Sequence, residues 1–156
     1  LHQLESKHKI YKLRDGLKRL AHDFDRVYID TPPAFNFFSL SALIAADRVI
    51  VPFDCDVFSK RALQSLVHNV LETRQDHNPD LGIEGIVVNQ FDPRANLPRE
   101  VVQSLADEGY PIFESKLSPS VIMKKSHEQN LPLVYLNPNH KLSQQFLALF
   151  EQLEQA

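Results

Sequence analysis

The densest chemistry in the sequence is Asp30-Thr31-Pro32-Pro33, which follows directly on the apolar run Val27-Tyr28-Ile29. A carboxylate delivered by the end of a buried strand can hold Mg²⁺, usually through water, beside the phosphates of a nucleotide. The same carboxylate can also do no more than cap the next turn, and the tetrapeptide alone leaves both readings open. A second polar exit stands at Asn89, after Gly85-Ile86-Val87-Val88. Its amide both donates and accepts, so it can match the N6 and N7 edge of adenine, or it can satisfy nearby backbone. Asp92 and Arg94 extend that exit. Arg94 carries a planar cation able to stack on a base, reach a phosphate or face water.

Other chemistries find less support. The seven histidines are scattered along the chain, and none forms the close His/Asp/Glu pairing typical of a zinc site. Cys55 lies between Asp54 and Asp56, whose charges should raise its pKa and keep it from acting as a nucleophile. There is no Gly-x-Ser-x-Gly elbow for hydrolase chemistry. None of the four glycines, Gly16, Gly82, Gly85 and Gly109, belongs to a Gly-rich Lys-Ser/Thr phosphate loop.

These residues need a scaffold, and 156 residues at 43% hydrophobic and 24% charged suit one globular domain spanning residues 1–156. A net charge of -3 gives no bulk field for nucleic acid or membranes, so any such contact would need a local patch. The single cysteine excludes an internal disulfide and fits a reducing cytoplasm. No signal peptide or membrane span is visible. The chain opens at Leu1 in charged, helix-like sequence, and reads as one that continues upstream.

Apolar spacing predicts an amphipathic helix over about Ile10–Ala21 whose outer face carries Lys12, Arg14, Lys18 and Arg19, either a solvated face or a nucleic-acid patch. A strand at Val27–Ile29 follows, then a helix from Phe35 to Ala46 and a strand over Val49–Phe53. Ser59 is the expected N-cap of a helix reaching Thr73, with Leu63, Leu66, Val67, Val70 and Leu71 as its apolar stripe. Gly85–Asn89 gives a third strand, Pro98–Glu108 a helix, and Pro111–Phe113 a short fourth strand. After the polar loop Ser118-Pro119-Ser120 come a helix including Lys124, Lys125 and His127, an irregular crossing from Pro132 to Pro138, and a closing helix over His140–Gln155. That helix should turn Leu142, Phe146, Leu149, Phe150 and Leu153 inward. Alternating strands and helices imply an α/β fold, with a parallel sheet covered by helices on both faces.

The order Asp30-Thr31-Pro32-Pro33, Ile50-Val51-Pro52, then Gly85-Ile86-Val87-Val88-Asn89 through Arg94-Ala95-Asn96-Leu97, resembles the ParA/MinD family of deviant Walker ATPases over nearly the whole chain. Arg94-Ala95-Asn96-Leu97 is similar to a phrase of the chromosome-partitioning, ParA/Soj-like branch. The resemblance implies a three-layer α/β fold of the P-loop NTPase type, of which this chain is the C-terminal portion, with N-terminal strands and the Walker A loop upstream. It implies ATP and Mg²⁺ as cofactors, Asp30 positioning magnesium-bound water, and Thr31, Pro32 and Pro33 responding to the γ-phosphate. It also implies Asn89 at the adenine, beside Asp92 and Arg94, and a loop including Pro119 and Ser120 that closes over the base. Family members form homodimers, associate with nonspecific DNA and answer to a ParB-type partner in bacterial chromosome or plasmid partitioning or in intracellular positioning. A chain without Walker A should be inactive alone, and a non-catalytic module docking on a protein partner is the alternative. Ser118-Pro119-Ser120 departs from the family in lacking an arginine, and the closing helix ends acidic at Glu151 and Glu154.

Overall fold

The computed structural model describes residues 8–155. Among the described residues, two β-strands form where the sequence has continuous apolar runs: β1, Arg48–Asp54, and β2, Gly82–Asn89. They are hydrogen-bonded neighbours in a parallel sheet, and the helix between them supplies the crossover that parallel pairing requires. The helices are α1 (Lys12–Leu20), α2 (Phe37–Ala45), α3 (Val57–Asp76), α4 (Asn96–Asp107), α5 (Ile122–Glu128), α6 (Leu133–Leu136) and α7 (Lys141–Gln155). The fold class is therefore α/β, as the alternation of patterns predicts.

The chain divides into two compact units, one comprising the chain up to Val49 with Gln64–Ile83, the other Ile50–Leu63 with the chain from Glu84 onward. In the first, Leu43, Val70 and Leu81 form the buried centre, with Ala46, Val49, Leu66 and Ile83 packed against them. Asn36 caps α2 by accepting from the backbone N–H groups of Phe38 and Ser39, at 2.9 and 3.2 Å. Asn78, in the turn after α3, donates to the carbonyls of Leu43 and Ala46 at 3.0 and 2.7 Å. This satisfies acceptors that the end of α2 would otherwise leave open.

In the second unit the core gathers Val87, Phe113, Leu117, Leu133, Leu142 and Leu149, with Ile50, Ile122, Met123, Phe146 and Leu153 against it. Ile86, Val88 and Leu105 are wholly excluded from solvent, each contributing about 1.5–3 kcal/mol of burial. The expected fourth strand reduces to one parallel bridge between Ile86 and Ile112. Gly109, at φ 82°, ends α4 in the left-handed conformation that lets Tyr110 N–H reach back to the Leu105 carbonyl at 3.1 Å.

Several expectations are corrected. Val27–Ile29 forms no strand: the segment is irregular, with Val27 51% and Tyr28 63% exposed. β-branched and aromatic residues favour strands only when a neighbouring strand accepts them, and the sheet formed by the described residues contains β1 and β2 alone. The cap of α3 is Asp56, whose Oδ1 accepts from Ser59 N–H at 2.7 Å, rather than Ser59 itself. Leu71 and Phe150 lie 48% and 53% exposed on helices whose buried faces are filled by their neighbours. Within the expected irregular crossing, Leu133–Leu136 forms a helical turn that buries Leu133.

Candidate functional site

In the first unit, the loop after the exposed apolar run presents Asp30, Thr31 and Pro32 to a cavity of about 480 Å³, shared with Lys9, Lys12, Ile29, Phe37 and Ser41. Pro33 follows outside the lining. The two prolines hold the loop away from helical or strand geometry until Asn36 starts α2. Asp30 is exposed, so its carboxylate is accessible to a hydrated cation without a desolvation cost. Lys12 was expected only on the basic outer face of a helix, and Lys9, just before that helix, was not singled out. One carboxylate, the hydroxyls of Thr31 and Ser41 and two ammonium groups around one cavity form a set that fits a magnesium-bound phosphate.

In the second unit, β2 ends at Asn89, and Gln90 adopts φ 53°, a left-handed turn that costs a non-glycine residue about 1 kcal/mol. The turn brings Phe91 N–H onto the Leu117 carbonyl at 2.9 Å, while Leu117 N–H donates to the Val88 carbonyl at 2.9 Å. The backbone leading into Ser118-Pro119-Ser120 is thereby tied to the strand end carrying Asn89. Gln145 on α7 holds the loop reciprocally, its Oε1 accepting from Ser118 N–H and its Nε2 donating to Ser118 Oγ, each at 3.0 Å. Pro119 is exposed, and Ser120 Oγ accepts from Ile122 N–H at 3.4 Å at the start of α5. Asn89 itself donates from Nδ2 to Asp54 Oδ1 at 3.0 Å. Asp54 and Gln145 are the contributors that motif reasoning missed, since both act across long sequence separations.

Arg94 makes a two-pronged contact with its near neighbour: Nε donates to Asp92 Oδ1 and Nη2 to Oδ2, both at 3.1 Å, and Arg94 N–H also donates to Oδ1 at 3.0 Å. The Arg94 guanidinium thus holds the Asp92 carboxyl below its usual range. A depressed folded pKa means the pairing is intact above the ordinary Asp value of about 3.9 and is lost only as pH falls through the lower folded value. A carboxyl NMR titration should therefore place the Asp92 midpoint below its unfolded value, and Arg94→Ala should return it; a midpoint indifferent to that change would remove the pair. Cys55 is pushed up first by burial and then by Asp54 and Asp56, with Lys116 opposing. The expected direction holds, and burial is its main cause. Among the described residues, no helix is long and apolar enough to cross a membrane.

The parallel α/β scaffold is that of the P-loop NTPase fold. Residues 1–83 match the family described as the AAA domain, and the chain belongs to the ParA/MinD-like ATPases within it. It is 34% identical over 146 residues to the chromosome partitioning protein ParA of Myxococcus xanthus, covering 92% of this chain and 51% of that protein. The chain spans about half the length of the curated relatives it matches. Its fold is similar to that of apo McdA from Cyanthece, with a TM-score of 0.81 at 21% identity, over 92% of this chain and 59% of that one. Cobyrinic acid a,c-diamide synthase from Mycobacterium smegmatis, solved with bound ADP and magnesium, is similar at 31% identity and a TM-score of 0.66, over 71% of this chain and 46% of that one.

Proposed function

We propose that this chain supplies the metal-side and base-side loops of a partitioning or positioning ATPase that uses ATP and Mg²⁺. Asp30 orients water on the cation, Thr31 to Pro33 form the loop that responds to the terminal phosphate, and Asn89 reads adenine, with Asp92, Arg94, Pro119 and Ser120 around the base. The observation that carries this reading is that the family match includes Asp30-Thr31-Pro32-Pro33 and that the first three of these line one cavity with two lysines. Nucleotide-dependent homodimerisation, association with nonspecific DNA, stimulation by a ParB-type protein and a cytoplasmic setting belong to the same proposal, and the likeness to ParA supports them. Phosphate affinity in such folds rests on backbone N–H groups of a glycine-rich loop, which these 156 residues do not contain.

Calorimetry tests the division of labour. Residues 1–156 alone should give no saturable heat with MgATP up to about 1 mM, which corresponds to less than about 4 kcal/mol of binding. A longer gene product containing a glycine-rich Lys-Ser/Thr loop should bind and hydrolyse it. Tight magnesium-dependent binding by the 156 residues, or a longer product with no nucleotide affinity, would refute the reading. The second outcome would favour a docking module, a reading supported by the exposed Phe24, Tyr28, Phe35 and Phe38 of the first unit.

A further inference from the structure

Asp54 leaves β1 as an exposed residue, and its Oδ1 takes a hydrogen bond from Asn89 Nδ2 at 3.0 Å across 35 positions of sequence. Surface aspartates usually face water, so a directed contact onto the amide of the last residue of β2 calls for an explanation. A carboxylate only accepts hydrogen bonds, which fixes the amide: its NH₂ group must turn to Asp54, and its carbonyl oxygen must turn away. Asn89 then retains Oδ1 as an acceptor and one further N–H as a donor. Adenine offers the matching pair, an N6–H donor and the N7 acceptor, whereas guanine offers O6 and N7, both acceptors. An amide free to rotate could present either end to a base. One held by a carboxylate cannot exchange its ends without losing a charge-assisted hydrogen bond.

We propose that Asp54 is a specificity-determining positioning residue, which orients the Asn89 amide for adenine and against guanine. The inference rests on the reading of Asn89 as the base-contacting residue, and its test separates the two. Neither side chain belongs to the buried core, so substitutions at both positions should cost little stability.

The experiment measures Kd for ATP and for GTP by displacement of a fluorescent nucleotide, in a gene product that carries these residues together with a glycine-rich Lys-Ser/Thr loop, with the variants Asn89→Ala, Asp54→Ala and Asp54→Asn. Asn89→Ala should lower the ATP-over-GTP preference by about 10-fold or more, the scale of a lost base-edge contact. Asp54→Ala should lower it by about 3- to 10-fold, the scale of one net hydrogen bond. Asp54→Asn, whose carbonyl still accepts, should restore most of the preference. In residues 1–156 without nucleotide, one Asn89 side-chain N–H should exchange more slowly than a free amide in NMR, and Asp54→Ala should abolish that protection. If Asn89→Ala leaves the preference unchanged, the adenine reading and the inference fall together. If Asn89→Ala lowers it while Asp54→Ala does not, only the role of Asp54 is overturned. A wild-type preference for GTP that disappears in Asp54→Ala would also overturn it, by making the carboxylate itself the base-reading group.

Discussion

If the proposed ATPase reading holds, replacing Asp30 with alanine should reduce ATP turnover by about 100-fold or more in a gene product that carries these residues together with a glycine-rich Lys-Ser/Thr loop, the cost of removing one well-placed electrostatic partner from a reacting centre. The geometry favours so large an effect because the cavity lined by Asp30 also takes Lys9 and Lys12, and Asp30 is the only carboxylate among the described residues that line it. Two ammonium groups left without that carboxylate would still attract phosphate but would offer the cation no oxygen ligand. Nucleotide affinity should therefore fall less than turnover, and the magnesium concentration needed for half-maximal activity should rise. Stability should stay within about 0.5 kcal/mol of wild type, since Asp30 is exposed and lies outside the buried cluster of Leu43, Val70 and Leu81. Asp30→Asn preserves size while weakening the metal contact, and should behave nearly as Asp30→Ala does. Turnover unchanged in both variants would remove Asp30 from the reaction.

What the sequence disclosed, and what it hid, follows from the range of the interactions involved. Val49–Phe53 and Gly85–Asn89 were readable as strands from their apolar runs, which β1 and β2 enclose; β2 buries Gly85–Val88 as a strand covered on both faces does, whereas β1 buries Val51 and Phe53 and leaves Pro52 exposed. Val27–Ile29 carries the same local signal, yet a strand is a property of a pair, and composition does not reveal whether a neighbour is present. Capping shows the reverse problem: Ser59 and Asp56 are both plausible caps by type, and only coordinates show which oxygen meets which N–H. At the candidate site, Asp30 and Asn89 were legible because each ends an apolar run. Their supports were not, because Asp54 and Gln145 reach their partners across 35 and 27 positions and leave no local pattern. Lys12 was visible only as part of a basic helical face and Lys9 not at all, and the cavity takes both beside Asp30.

Gly85→Ala should destabilise the protein by about 1–3 kcal/mol, lowering Tm by several degrees, about 2–4 °C per kcal/mol at this size. The sign is not obvious beforehand. Alanine restricts the unfolded chain more than glycine, and where the site admits a methyl group the exchange stabilises by about 0.4–1 kcal/mol. Here the added Cβ would stand 2.5, 2.8 and 2.9 Å from three ring atoms of Phe113, well inside contact distance. The ring has little room to yield, because it packs in the cluster with Val87, Leu117, Leu133, Leu142 and Leu149. The backbone is also pinned: Ile86 N–H donates to the Pro111 carbonyl at 2.7 Å, and Phe113 N–H donates to the Ile86 carbonyl at 3.1 Å. Relief must come by displacing β2 or the ring, and either loosens the strand whose end carries Asn89. Phe113→Leu alone should also cost stability by leaving space in the core, but it removes the ring atoms in conflict. The pair Gly85→Ala/Phe113→Leu should therefore be more stable than the sum of its single changes predicts, with a coupling of about 1 kcal/mol in urea unfolding. Additive changes, or a Gly85→Ala variant as stable as wild type, would show that the ring moves aside freely and that glycine at this position is not required by packing.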